Sequence, residues 1–291
     1  MRDVVLARAG EQPIEKTESP TPAPMSSRPP RWRAALLPLA SAPFVLFLLL
    51  PLVALVLRVS PADLLSHVMD PAAAQALQLS LSTTLTSVLI TVVAGTPVAY
   101  LLARRRFRGR TLLDTLIDLP MVLPPAVAGV ALLVAFGRQG AVGHLLAGLG
   151  VTLPFTPAAV VLAQTFVASP FYIKAAEAAF AGVDVDLEQA AALDGASPLA
   201  TFRYVTLPLT AHALFGGAVL TWARALGEFG ATIIFAGNFP GRTQTMPLAI
   251  YIGFELDFAV ALTLSVILLV LSFAVLLVVR YVLRERIAAF S

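Results

Sequence analysis

AALLPLASAPFVLFLLLPLVALVL, residues 34–57, contains no charged side chain. As a helix rising about 1.5 Å per residue, 24 residues reach about 36 Å, enough to cross a hydrocarbon core about 30 Å thick. The stretch is longer than the 7–15 apolar residues of a signal peptide. Its one small-residue triplet, centred on Ser41, lies inside the stretch rather than after it, so the sequence predicts a retained start-transfer helix. Upstream, residues 1–33 are rich in Pro, Ser and charge, and they bury too little apolar surface to offset their ordering entropy. They are predicted to be a disordered arm.

Working outward, the same test gives five more spans: 77–102, ending at ARRRFRGR; 116–136, stopped by Gly137 and Arg138; 157–173, before Lys174; 212–235; and 258–279, before Arg280. The chain of 291 residues is 58% hydrophobic and only 13% charged, with mean hydropathy +0.85, which excludes an ordinary water-soluble enzyme. An open sheet cannot satisfy its backbone in lipid, and no ten-residue apolar/polar alternation suggests a barrel. The fold class expected is an all-α integral membrane protein with six transmembrane helices.

An even number of spans puts both termini on one side, and Arg/Lys placement says which. With the termini in the cytoplasm, Arg28, Arg31 and Arg33, the run Arg104, Arg105, Arg106, Arg108 and Arg110, then Lys174, Arg203, Arg280, Arg284 and Arg286 lie inside. The outer loops hold Arg58, Arg138 and Arg242. The expected organisation is an arm to residue 33, a membrane domain over 34–280 and a cytoplasmic tail over 281–291.

The formal charge of +3 is small and its basic residues sit between uncharged tracts, so nucleic acid is not an expected partner. The absence of cysteine removes disulfides, thiol catalysis and thiolate-held metals, and His67, His144 and His212 make no spaced ligand set. No Walker A loop, GxGxxG turn, HExxH or GxSxG occurs. Ion coupling would draw on acidic or histidine residues within spans, for which the reading offers His212 and Glu228. A lone ion-coupled carrier or a membrane-embedded enzyme thus remains an alternative class with thin support.

The loop EAAFAGVDVDLEQAAALDGASPLATFRYVTLPL, residues 177–209, is longer than a hairpin connection needs. Asp186 can N-cap a helix with Gln189 at N3, Leu187, Ala190, Ala191 and Leu193 then form an apolar face, and Gly195 can take the left-handed C′ position. Ser197 followed by Pro198 restarts a helix, and Pro208 is predicted to break the chain before span five.

This loop resembles the EAA loop of ABC importer permeases: EAA, three residues, Gly, nine residues, Ile, any residue, Leu, Pro. Gln189, Ala190 and Ala191 stand at the EAA, Gly195 at the glycine, and Val205, Leu207 and Pro208 at the IxLP. Two positions depart from the pattern: Gln189 replaces Glu, with Glu188 adjacent, and Val205 replaces Ile. The resemblance implies the type I permease fold and a coupling surface made of Glu188, Gln189, Ala190, Ala191, Gly195, Val205, Leu207 and Pro208. It also implies two cytoplasmic ATPase subunits that hold ATP and Mg, a second copy of this chain, and an external substrate-binding protein, with no cofactor, metal or catalysis on the chain itself.

DLPMVLPPAVAGVALLVAFGRQGAVG (118–143) and WARALGEFGATIIFAGNFPGRTQTMPLAIY (222–251) resemble the oxyanion branch of these permeases. The AGNFPG, TQT and PLAIY pieces are similar to molybdate/tungstate permeases, with sulfate/thiosulfate permeases the alternative. The implied place is the inner membrane, in contact with lipid.

Four polar residues of span five, Thr221, Arg224, Glu228 and Thr232, fall on one stripe of a continuous helix, with Ala223, Gly227 and Ala231 beside it. Arg224 is twelve residues past His212, about 18 Å along a helix and so near mid-bilayer. It either meets an anion or simply neutralises Glu228 one turn on. In span two, Ser80, Thr84, Ser87 and Thr91 share a face, donating to an oxyanion or, more in keeping with membrane helices, bonding a neighbouring helix. Arg138 and Arg242, outside, either steer an anion or are ordinary solvated charges.

Overall fold

The computed structural model of the chain describes residues 31–68 and 70–288. The expected disordered arm, up to residue 30, and residues 289–291 of the tail lie outside the described residues. Every described element is helical. Residues up to Leu52 form one unit and those from Val53 a second.

The order is α1 (Arg31–Arg58), α2 (Pro61–Val68), α3 (Pro71–Arg104), α4 (Arg110–Val122), α5 (Pro125–Phe136), α6 (Ala141–Gly148), α7 (Pro157–Ala181), α8 (Val185–Leu193) and α9 (Pro198–Thr201). A π turn at Phe202–Thr206 leads into α10 (Leu207–Leu226), followed by α11 (Gly230–Phe235), α12 (Met246–Leu256) and α13 (Phe258–Ala288). Thus α1 takes in Arg31, Trp32 and Arg33 from the expected arm, and α13 continues as helix through most of the expected tail.

Among the described residues, five helices are long and apolar enough to cross a membrane, or six if one bent pair counts as a span. That pair corrects the straight third span read over 116–136: α4 and α5 meet at 117°. Pro124 and Pro125 cause the bend. A residue before proline is pushed out of the helical region, and Leu123 and Pro124 are both non-helical, with ψ 135° and 133°.

Span five also ends early. α10 stops at Leu226, Gly227 caps it, and a separate α11 begins at Gly230, so the helix read through to residue 235 is two pieces. At its other end the helix is longer than expected. Pro208 does not break the chain: the π turn lets the Leu207 N–H bond the Phe202 carbonyl, and Pro208 falls at the start of α10, where a missing N–H is tolerated. Pro198 to Leu226 therefore forms one 29-residue stretch.

The centre is α3, α7 and α10. α3 presents Ala76, Ser80, Thr84, Ser87, Thr91, Gly95 and Ala99, a stripe of small residues that lets backbones approach. Added to Gly95, a Cβ would lie 3.1 Å from Ile173 and 3.2 Å from Tyr172. Around this centre, α5 and α11 pack on α7 through Ala128, Leu132, Ala163, Val167 and Phe235. Met246 and Ala249 of α12 join Ala76 and Leu264 on the far side.

The α5–α11 contact is closer still: a Cβ on Gly129 would lie 2.9 Å from the Ala231 carbonyl oxygen. Gly129→Val is expected to destabilise the chain by about 2 kcal/mol, the cost of overpacking against backbone. Thermal unfolding in detergent checks this against Gly148→Val. A Cβ at Gly148 meets nothing within 4 Å, so that variant should unfold close to the parent.

Candidate functional site

Two groups of residues carry the functional expectations, the elbow after α7 and the polar residues at the end of α10. In the elbow, Asp184 rather than Asp186 caps α8: its side chain accepts the Asp186 N–H at 3.0 Å. Asp184 lies two residues ahead of Asp186, and capping there leaves Asp186 and Glu188 in the first turn, where acids suit the helix dipole. α8 ends as expected. Gly195 has φ +89, its N–H bonds the Ala192 carbonyl, and the Ala196 N–H bonds that of Ala191, a Schellman closure. Ser197 caps α9 through the Ala200 N–H.

No residue of α8 is buried. Leu187, Ala190 and Leu193, spaced three apart on one face, are all exposed, Leu193 to 88%, and Gln189 is exposed beside them. Ala191, Val205 and Leu207 are half-buried and Pro208 is exposed. Glu188 departs from the group. Its Oε1 takes a charge-assisted bond from Arg104 Nη2 at 3.0 Å and another from Thr206 Oγ1 at 2.6 Å. Its carboxylate thus faces the body of the protein, unlike the exposed Gln189 beside it. The same Arg104 Nη2 donates to the Val183 carbonyl at 3.1 Å. Behind this joint, Tyr100, Phe180 and Phe202 pack edge-on or tilted, with centroids 5.2–6.0 Å apart.

At the end of α10, Arg224 Nη1 meets Glu228 Oε2 at 2.9 Å. The other carboxylate oxygen accepts the Ala231 N–H at 2.8 Å, so Glu228 also closes the N-terminus of α11. Thr221 and Arg224 sit in the last turns of α10 and Thr232 sits on α11, so the four do not form one stripe on a continuous helix, and Arg224 is at a helix end rather than mid-helix. Glu228 is 1% exposed, whereas Arg224 keeps 29% of its side chain open. The hydroxyls of Thr91, Thr221 and Thr232 are buried without a hydrogen-bond partner.

Of the other α3 hydroxyls on the face of Thr91, those of Ser80 and Ser87 bond neighbouring elements and that of Thr84 bonds its own helix. Ser80 Oγ accepts the Met246 N–H at 2.7 Å, Thr84 bonds the Ser80 carbonyl at 2.6 Å, and Ser87 donates to the Val161 carbonyl at 2.9 Å and lies 3.3 Å from Gln164 Oε1. Ser87→Ala is expected to cost about 1 kcal/mol, one lost interhelical hydrogen bond, without changing function. Chemical denaturation together with a transport assay checks it.

Sequence reasoning missed a charged cluster. Lys174 of α7 pairs with Asp114 of α4, with Asp118 at 3.3 Å and with Glu177 at 3.4 Å, while Arg110 reaches Glu177 at 3.3 Å. Asp118 falls within the third span as read, so His212 and Glu228 are not the full set of ionisable groups there. The signal was available: two acids at i and i+4 repel each other unless a cation answers them. The cluster clamps α4 to α7.

Residues 95–288 match the family of binding-protein-dependent transport system inner membrane components. The chain is 43% identical over 248 residues, 85% of its length and 92% of the relative's, to the molybdenum transport system permease protein ModB of Mycobacterium tuberculosis. It is 34% identical over 247 residues, 84% of its length and 86% of the relative's, to the probable transport system permease protein NifC of Clostridium pasteurianum. Among solved structures it superposes on a chain of a bacterial ABC transporter that imports the acidic polysaccharide alginate, with TM-score 0.69, 15% identity, and coverage of 87% of this chain and 96% of that one.

Proposed function

This chain belongs to the family of binding-protein-dependent transport system inner membrane components, and from that membership we propose that it is the permease subunit of an ATP-driven importer carrying molybdate inward. It is an all-helical, multi-pass inner-membrane protein that performs no covalent chemistry; hydrolysis belongs to a separate ATPase chain. The observation that carries the reading is the elbow. A nine-residue helix with no buried residue, showing Leu187, Ala190 and Leu193 outward and closed by a left-handed Gly195, is a surface built for a partner. The cargo follows the relatives named for molybdenum transport.

In this reading both termini and α8 are cytoplasmic, as Arg/Lys placement favours. Two ATPase subunits seat α8 of two copies of this chain, and ATP-driven closure moves the elbows and repacks the spans. Molybdate released by an external binding protein passes between the copies. Arg224 supports such a path through its open edge, which leaves guanidinium donors for a dianion beyond the one on Glu228. Thr91, Thr221 and Thr232 add hydroxyls without other partners. Gln189 keeps a polar contact at the EAA position but has no charge for an ionic one.

Reconstitution tests this. Proteoliposomes holding the chain with its ATPase and binding protein are expected to accumulate molybdate when given ATP, and those holding the chain alone are not. Uphill accumulation by the chain alone, without nucleotide, would sink the reading. Excess sulfate that competes as well as unlabelled molybdate would reassign the cargo to sulfate.

A further inference from the structure

α8 buries none of its residues, so apolar packing does not hold it. Among the described residues, the side-chain bonds that tie it to the membrane domain meet at one carboxylate oxygen. Glu188 Oε1 receives Arg104 Nη2 at 3.0 Å and Thr206 Oγ1 at 2.6 Å. These partners are strategic. Arg104 is the last residue of α3, and Thr206, fully buried, ends the π turn that opens α10. Arg104 also holds the Val183 carbonyl, in the turn just ahead of α8, so a single guanidinium grips both the entry to the helix and its first-turn acid.

The pair is mostly withdrawn from water, with side chains 12% and 14% exposed, where charge-assisted bonds are strong and a lone charge is costly. The face that Leu187, Ala190 and Leu193 present lies away from it, because Glu188 alone of the first-turn residues turns inward.

We propose that Glu188 is a positioning residue that locks α8 to the ends of α3 and α10, so that a force applied to the elbow moves both helices together. This rests on the elbow being the seat of an ATPase. On this view Glu188 makes no contact with that partner, and the polar side chains offered to it from the same stretch are the exposed Asp186 and Gln189. The π turn suits the role: Thr206 is held in its register by the Leu207 N–H to Phe202 carbonyl bond, so rotation of α8 is passed into α10 rather than absorbed by a loose loop.

The test uses the complex of this chain with its ATPase and binding protein in proteoliposomes, measuring three quantities: ATPase retained on purification, ATP hydrolysed and molybdate taken up. Glu188→Gln is expected to retain the ATPase and hydrolyse within about two-fold of the parent while uptake falls by about ten-fold or more, the size of an ordinary coupling free energy. Exchanging the charges, Glu188→Arg with Arg104→Glu, is expected to regain much of the uptake. The chain contains no cysteine, so Arg104→Cys with Glu188→Cys can be bridged unambiguously by 1,2-bis(maleimido)ethane. Bridging is expected to raise uptake about five-fold or more over the same variant capped with N-ethylmaleimide. Loss of the ATPase from Glu188→Gln would overturn the proposal by placing the residue in the docking surface. Unchanged uptake would do so too, as would failure of both the exchange and the bridge to rescue. A parent complex with no ATP-dependent uptake overturns the importer reading itself, and the joint with it.

Discussion

Gly195→Trp is expected to abolish ATP-driven molybdate uptake while the chain inserts in the membrane at parental levels. At φ +89 the residue sits in the left-handed region that lets α8 close on itself through the Gly195 and Ala196 N–H groups. Any L side chain there costs about 1 kcal/mol of backbone strain, a small part of what holds a chain of many packed helices. A Cβ at this position meets nothing within 4 Å, so even an indole clashes with no part of its own chain. The ring instead projects from the end of the exposed α8 face. A groove shaped for that end then loses about 3 kcal/mol or more to overpacking, which is about 100-fold in affinity. Gly195→Ala separates the two effects. It carries the same strain without the bulk, and should retain the ATPase and transport within a few-fold of the parent. The measurements are membrane yield, ATPase retained on purification and uptake. Equal losses for Ala and Trp would show that strain in the elbow, rather than a filled groove, stops transport.

The membrane spans were legible because charge-free runs of twenty or more residues have one stable fate in lipid, and residues 34–57 and 258–279 needed no other argument. The breaks were not, although their residues were in view. Averaged over a window, LPMVLPPAVAG still reads as one apolar stretch, yet Pro124 and Pro125 turn the chain by 117°. Gly227 and Glu228 hid a helix end for the same reason: one acid among apolar neighbours reads as an interior charge rather than as the partner of the Ala231 N–H. In the elbow, spacing fixed the short helix and the glycine stop, because capping chemistry is local. It could not fix which way Glu188 points. That depends on Arg104, 84 residues earlier, and only packing of α3 against α7 brings the two ends together. The Asp114, Asp118 and Lys174 cluster belongs to the same class, with each half readable on its own helix and the contact a product of tertiary fold.

Arg224→Gln is the second large effect, and it divides the two roles left open for that arginine. Removing the guanidinium leaves Glu228, 1% exposed, with the Ala231 N–H as its remaining bond. An uncompensated buried carboxylate costs about 3–5 kcal/mol. Because Arg224 is itself 29% exposed, part of the pair's attraction is already screened, and the expected loss is nearer about 2–3 kcal/mol. Glu228→Gln is milder, about 1 kcal/mol: the amide oxygen still accepts the Ala231 N–H, and the freed guanidinium can turn its open edge to water. The double substitution Arg224→Gln with Glu228→Gln restores neutrality and keeps the helix cap, so it should unfold within about 1 kcal/mol of the parent. If the arginine is only half of a structural pair, uptake recovers together with stability. If its outward donors handle the dianion, stability returns and uptake stays low, since a neutral amide cannot replace a charged, forked donor toward molybdate. Thermal unfolding and uptake measured on the same four proteins decide between them. A single Arg224→Gln variant that matches the parent in both would show that the charge at the end of α10 serves neither.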